Sequence, residues 1–208
     1  MSGTVARAVV LLVGACVVAC ASRGLRIQQY ILTSTVVEAA APVPGASLDP
    51  MIGIGPIDVP VYLQRPEIVS RGADARLQVR AGERWGESLQ SGIGRVLAND
   101  LARLVPSAQV FREPFPTASQ PAFTVAVQVQ RFEPVVDGAV ELDTHWMLTE
   151  GAQRPQAAPA LRLESIREPV ADATTEARVA AMSRAIAQLA ARIAADIRGV
   201  QAHRTATP

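Results

Sequence analysis

The sequence contains no lysine, and its charges nearly cancel. All 20 basic residues are arginine, they face 19 acidic residues, and the formal net charge is +1. A nucleic-acid-binding domain carries a clustered basic excess, and electrostatic attachment to anionic lipid needs one as well. The balance therefore argues against nucleic acid as a partner and against attachment to a membrane through charge alone.

Signatures of catalysis and of metal binding are also missing from the sequence. There are only two histidines, His145 and His203, and no cysteine or histidine cluster at metal-ligand spacing. The chain has no Gly-x-Ser-x-Gly nucleophile elbow and no phosphate-binding loop. Gly53 and Gly55 are followed directly by Pro56, which instead predicts a bend at the end of a strand. We therefore predict a protein that is not an enzyme and has no metal site.

The most informative segment lies at the N-terminus. Arg7 is followed by a run of twelve apolar residues, Ala8–Ala19, which is too short to span a bilayer and is typical of a signal peptide. The run ends in Val17-Val18-Ala19-Cys20, the form of a bacterial lipobox. We predict that residues 1–19 are a signal peptide and that Cys20 carries a covalent lipid. Cys16 also ends a lipobox-like sequence and is the alternative attachment site, although it leaves a shorter apolar run.

Lipid attachment at Cys20 would leave the mature chain without a free thiol and would hold it to a membrane. With Cys16 removed and Cys20 acylated, no thiol is left for a disulfide, so the fold must rest on its apolar core. Several acyl chains hold a protein firmly to a bilayer. Residues 20–29 are predicted to be a lipidated tether. Ala21, where an aspartate would retain such a protein at the inner membrane, favours the periplasmic face of the outer membrane.

Residues 30–198 are predicted to form one domain of mixed α and β structure, an α+β sandwich. Alternation of apolar and polar residues is typical of half-buried strands, and it is clearest in two strands joined at Asp137-Gly138. The inward-facing residues of shorter strands are predicted to include Ile68, Leu77 and Val79. Strands are predicted at Tyr30–Leu32, Met51–Val59, Glu67–Ser70, Arg76–Val79, around Val110, from Phe123 to Leu148 as a hairpin, and at Leu161–Leu163.

Two amphipathic helices are predicted to cover this mixed or antiparallel sheet. The first follows Ser88, a candidate N-cap, and ends before Pro106. The second spans about 174–198 and has an apolar stripe with spacings of three and four residues. That stripe fits a helix packed on the sheet, and a coiled coil with a partner is the alternative. Residues 199–208 are predicted to be a flexible tail.

Several segments together resemble the PqiC-type or YmbA-type lipoproteins, the ABC-type transport auxiliary lipoprotein components. The segments are the lipobox with QYILTS beyond it, IGIGPIDVPVYLQRPEIVSR at 52–71, ERWGESLQSGIGRVLANDLARL at 83–104, and AAMSRAIAQLAARIAADI at 180–197. The resemblance covers nearly all of the chain after Cys20. Its most specific parts are the connector from Pro60 to Val69 and the helix start at Arg84–Leu89.

The resemblance implies an outer-membrane lipoprotein that faces the periplasm and assists lipid transport between the two membranes. Its implied partners are an MCE-domain protein that spans the periplasm and an inner-membrane transport component, and the domain can assemble as a homo-oligomeric ring. A scaffold or activator of cell-wall synthesis or of outer-membrane assembly is the alternative function.

We predict partner contacts on the exposed surfaces of the connector and of the helix start. The candidate residues are Pro60, Arg65, Pro66, Arg84, Trp85 and Glu87. For Pro66 and Trp85 a purely structural role, as a rigid turn and a core aromatic, is the alternative.

Overall fold

A long antiparallel hairpin forms the centre of the domain. The computed structural model describes residues 26–36, 51–105, 108–115, 120–151 and 160–206, and within them the chain forms eight strands and two long helices. The strands are β1 (Gln28–Tyr30), β2 (Met51–Asp58), β3 (Glu67–Arg71), β4 (Leu77–Trp85), β5 (Gln109–Arg112), β6 (Phe123–Val135), β7 (Ala139–Glu150) and β8 (Ala160–Pro169). The helices are α1 (Leu89–Leu104) and α2 (Thr175–Ala206), and a short 3-10 helix spans Val61–Leu63.

The strands form one mixed sheet around β6, as predicted. On one side β6 pairs antiparallel with β7, which pairs antiparallel with β8. On the other side β2 lies parallel to the first half of β6, and β3 joins its far end where Arg71 pairs with Val135. Strand β5 extends the sheet from β2, and β4 and β1 extend it from β3. The hairpin predicted at Asp137-Gly138 is confirmed, and Gly138 has the positive φ of 78° that this turn requires.

The core lies between the sheet and the two helices. Alternate residues of β6 and β7 are buried, as their pattern predicts, and every member of the predicted α2 stripe is buried too: Val179, Met182, Ile186, Leu189, Ile193 and Ile197. The alanines at 185, 190 and 194 are completely buried, which lets α2 lie close to its neighbours. The packed-helix interpretation of the stripe is thus confirmed. Ser88 caps α1, its Oγ accepting the backbone N–H of Ser91 at 3.1 Å.

Several boundaries differ from the prediction, and among them β8 continues to Pro169 beyond the predicted Leu161–Leu163. Strand β1 occupies Gln28–Tyr30 rather than Tyr30–Leu32, because its pairing with β4 ends where Tyr30 meets Trp85. Strand β4 continues to Trp85, and α2 continues through Ala206 instead of ending at 198. The first part of the predicted tail at 199–208 is therefore helix.

The prediction that Leu77 and Val79 face inward is wrong. They are 39% and 38% exposed, while Ile68 is buried as expected. Residues 77–81 of β4 are all exposed, so neither face of this part of the strand is covered. At Gly55-Pro56, where the sequence predicts a bend at a strand end, the register of β2 against β6 shifts between Ile54 and Ile57, but the strand continues to Asp58.

Candidate functional site

The connector and the helix start, which lie some twenty residues apart in the sequence, meet in the fold. The backbone N–H of Trp85, at the end of β4, donates to the carbonyl of Pro66 at 2.7 Å. The next residue, Gly86, donates to the carbonyl of Tyr30 at 2.8 Å. Two main-chain hydrogen bonds therefore hold the helix start between the connector and β1.

A cleft of about 380 Å³ opens between these segments. Its apolar lining comes from Val59, Leu63, Pro66, Trp85 and Leu89, and its polar lining from Gln64, Arg65, Glu87, Ser88 and Gln90. Ile31, a residue about half exposed, lies beside Gly86 at its edge. An apolar floor with a polar rim is the usual form of a site that receives an apolar side chain of a partner.

The connector is shaped by its own hydrogen bonds. The carbonyl of Pro60 accepts the N–H of Leu63 at 2.9 Å, which closes the 3-10 turn. The side-chain amide of Gln64 donates to the carbonyl of Val59 at 2.8 Å. Pro60 is half-buried and does not line the cleft. Its visible role is to start the turn whose later residues form the cleft wall.

Glu67 joins the two predicted arginines. Its carboxylate lies 3.2 Å from Arg65 Nε and 3.5 Å from an Arg84 terminal nitrogen, and the register pairs Glu67 with Arg84 across β3 and β4. The hydrogen bond from Arg65, with a smaller effect of the Arg84 charge, holds the pKa of Glu67 below its usual value. Arg84 Nε is buried without a hydrogen-bond partner in the described chain. Arg65 thus lines the cleft. Arg84 does not line it and is connected to Arg65 through Glu67.

Glu87 has a structural role in the described fold. It pairs with Arg95, nearly two turns into α1, where Arg95 Nε donates to its carboxylate at 3.1 Å, and Arg95 also donates to the carbonyl of Leu32 at 2.8 Å. A Cβ at Gly92 would meet the Glu87 carboxylate at 3.4 Å, so a small residue suits this position. The pair ties the segment after β1 to the first turns of α1.

Trp85 is buried, with 7% of its surface exposed, and it closes the inner end of the cleft. This burial agrees with a core role for the aromatic ring, and the same ring forms part of the cleft lining. The lipid-attachment candidates Cys20 and Cys16 lie outside the described residues. Of the six predicted contact residues, the cleft therefore contains Arg65, Pro66, Trp85 and Glu87.

A buried polar cluster behind the connector is not predicted by the sequence analysis. Glu133 is completely buried, accepts a hydrogen bond from the Tyr62 hydroxyl at 2.6 Å, and lies 2.6 Å from Arg71 Nε. The Arg71 guanidinium stacks over the Tyr62 ring at 5.6 Å. Burial and the hydrogen bond to Glu133 raise the pKa of Tyr62 to about 12. The register shift between Val129 and Arg131 turns Glu133 to the same face as its cross-strand partner Glu141, and there Tyr62 and Arg71 cover it.

A second, shallower cleft of about 280 Å³ lies on the other side of the α1 start and shares Gln90 with the first. Among the described residues, no group of three or more histidine, cysteine or acidic side chains could hold a metal ion. No helix in the described part of the chain combines the length and apolar character needed to cross a bilayer.

Comparison with known proteins gives one family and a clear fold relationship. The family described as ABC-type transport auxiliary lipoprotein component matches residues 30–194. A crystal structure of an uncharacterized protein is 20% identical with a TM-score of 0.67, covering 83% of this chain and 99% of that one. A crystal structure of a protein from Xanthomonas campestris is 19% identical with a TM-score of 0.65, covering 85% of this chain and 99% of that one. No curated protein matches this chain.

Proposed function

Because this chain belongs to the family of ABC-type transport auxiliary lipoprotein components, we propose that it is a non-enzymatic outer-membrane subunit of an intermembrane lipid transport system. The family match covers the whole domain described above, from Tyr30 into α2. Cys20 would hold the domain at the periplasmic face of the membrane, and the domain would supply a docking surface. The partners we propose are an MCE-domain protein and, through it, an inner-membrane transport component.

The cleft beside α1 is the observation that carries the docking role. It brings the connector and the helix start together, and its volume of about 380 Å³ admits an apolar side chain of leucine size. Full burial of such a side chain would contribute about 1.5–3 kcal/mol, which is the upper bound for this open cleft and approaches the scale of an interface hot spot. We propose that an exposed apolar side chain of the MCE-domain partner inserts here, with Arg65 and the polar rim making the surrounding contacts.

The cleft is well suited to a preformed docking site because its walls are fixed on every side. Backbone hydrogen bonds hold Trp85 to Pro66, the Gln64 amide holds the connector, and the Glu87–Arg95 pair holds the helix start. A rigid site loses little conformational entropy when its partner binds. A homo-oligomeric ring would present several such clefts to one partner assembly and raise the overall affinity.

Crosslinking in intact envelopes tests the proposal. The full-length chain is compared with Gln90→Trp, which fills the cleft from an exposed lining position, and with Asn99→Trp, a matched change on an exposed part of the same helix outside both clefts. We expect an MCE-domain protein to crosslink to the unchanged chain and to Asn99→Trp, and to be reduced at least about tenfold for Gln90→Trp.

Two other outcomes contradict the proposal in different ways. Recovery of a cell-wall synthase or an outer-membrane assembly factor in place of the MCE-domain protein would support the alternative scaffold function. Equal recovery of the MCE-domain protein with both tryptophan variants would leave the transport role intact and remove the cleft as its docking site.

A further inference from the structure

One end of the sheet exposes apolar side chains that the docking role does not use. Arg71 pairs with Leu77 of β4 and with Val135 of β6, so the β3–β4 turn and the β6–β7 turn lie side by side. We call this region the hairpin end. It lies eight residues down β4 from Trp85, or about 26 Å from the cleft.

Three large apolar residues are exposed at the hairpin end. Val136 is 62% exposed in the β6–β7 turn, and Leu77 and Val79 are the exposed pair described above. Leu77 and Val79 share one face of β4, because side chains two residues apart point the same way along a strand. The three side chains share one end of the sheet, where together they could contact another molecule or a lipid.

The charges around these residues are balanced. Arg76 pairs with Asp74 at 2.8 Å, and Arg80 pairs with Glu83 at 3.2 Å. A surface that attracted an anionic partner would carry arginines without such acids nearby. A partner of this surface would therefore bind mainly through apolar contact. It would also have to accommodate the exposed Arg76 and Arg80 at the edge, as the interface of a bilayer does.

The position of the tether indicates what the hairpin end contacts. Strand β1 runs parallel to β4 with Gln28 opposite Glu83, so the chain that leads from Cys20 enters β1 from the side of the hairpin end. Ile27, just before β1, is about half exposed. Ile27 lies seven positions after Cys20, so the chain between them reaches at most about 25 Å. Leu77 lies six residues before Glu83, or about 20 Å along β4, so the anchor and the hairpin end can reach the same membrane plane.

We propose that the hairpin end lies on the lipid surface, with Leu77, Val79 and Val136 inserted at the level of the headgroups. The inference rests on the anchor at Cys20 proposed above and orients the domain, with the docking cleft about 26 Å farther from the membrane. Shallow insertion adds apolar burial to the acyl anchor and limits how far the domain can tilt. A second copy of this chain is the competing occupant of the same surface.

Site-specific quenching tests this orientation. Leu77→Cys, Val136→Cys and the control Leu163→Cys are made in the full chain; Leu163 is exposed on β8, six residues from the end of that strand at the hairpin end. In the lipidated protein the sulfur of Cys20 carries lipid, so the introduced cysteine is the free thiol for an environment-sensitive fluorophore. The protein is placed in phosphatidylcholine vesicles with or without lipids that carry a spin label near the headgroup.

We expect the spin-labelled lipid to reduce fluorescence at positions 77 and 136 about twofold and to leave position 163 nearly unchanged. Mass spectrometry and vesicle flotation report lipidation separately. A chain that is lipidated and floats, but is quenched equally weakly at all three positions, overturns this inference and leaves the anchor in place. A chain that is not lipidated overturns both. A concentration-dependent emission shift at position 77 in the chain that also carries Cys16→Ala and Cys20→Ala, measured without vesicles, would assign the surface to a second copy.

Discussion

At the scale of single residues, one buried carboxylate holds the connector. Glu133 lies on β6, yet its two partners, Tyr62 and Arg71, come from the 3-10 helix and from β3. It therefore joins three segments that are distant in sequence, and the wall of the cleft depends on it. A charge that is completely buried requires such partners, because an unpaired carboxylate would lose its hydration without compensation.

We predict that Glu133→Gln lowers the free energy of unfolding by about 2–3 kcal/mol. The amide cannot balance the Arg71 guanidinium, and the loss stays below that of a fully buried pair because the Arg71 side chain is 28% exposed. Urea unfolding followed by circular dichroism measures the change. Asp196→Asn, which breaks an ion pair with Arg162 at 35% and 48% exposure, is the control and changes stability by less than about 1 kcal/mol. Equal, small changes in both variants would contradict this role for Glu133.

Tyr62 gives the same cluster a dependence on alkaline pH. Its pKa of about 12 in the folded chain exceeds the value of about 10 in the unfolded chain, so between these values the folded state binds more protons. Stability is therefore fully present below pH about 10 and falls as the pH rises towards about 12. The absence of lysine makes this window unusually clear, since no ammonium side chain titrates in it.

We predict that Tyr62→Phe removes most of the loss of stability between pH about 9 and about 11.5, measured as the urea midpoint at each pH. Tyr30, the other tyrosine, also has a raised pKa, through burial and its hydrogen bond to Glu176, so Tyr30→Phe is made in parallel. Tyr30→Phe should remove a smaller part of the loss of stability over the same pH range. An unchanged decline in the Tyr62→Phe variant would show that the cluster does not hold this proton.

At the scale of elements, α2 depends on small residues on its buried side. Ala190 is completely buried and Ala191, the next residue, is exposed. We predict that Ala190→Leu lowers the free energy of unfolding by about 1–3 kcal/mol, because the added atoms push α2 away from its neighbours. Ala191→Leu, the matched control, should stay within about 0.5 kcal/mol. Thermal unfolding of both variants measures the difference, and equal effects would contradict the close packing.

The elements that the sequence predicts well are those that bury one complete face. Strands β6 and β7 and helices α1 and α2 have this property, and their patterns lead to the correct type of structure. The pattern at Leu77 and Val79 is equally apolar but misleads, because alternation shows that a strand has an apolar face and not whether any element covers it. At Glu133 the sequence pattern misleads in the opposite way. This charged residue lies on the polar face of the hairpin, but segments from elsewhere in the chain bury it.

The candidate site is predictable only in part for the same reason. The connector and the helix start are conspicuous in the sequence through Pro66, Trp85 and their neighbours, but no periodicity shows that the two segments touch. Their contact depends on the pairing of β3 with β4 and of β4 with β1, which is long-range information. Leu63 and Gln90 also line the cleft, and only that pairing brings them together.

At the scale of the whole molecule, the proposed anchor and the proposed docking cleft belong to different segments of the chain, and we predict that they are separable by mutation. Cys20→Ala should remove the protein from the outer-membrane fraction while the purified domain still binds the MCE-domain partner. Gln90→Trp should remain in the outer-membrane fraction and lose the partner. Because the cleft lies about 26 Å from the hairpin end, the two changes should act independently, and a double variant should show both losses without further loss of stability. Fractionation and pull-down of the four proteins measure this, and failure of the purified Cys20→Ala domain to bind the partner would mean that docking needs the membrane.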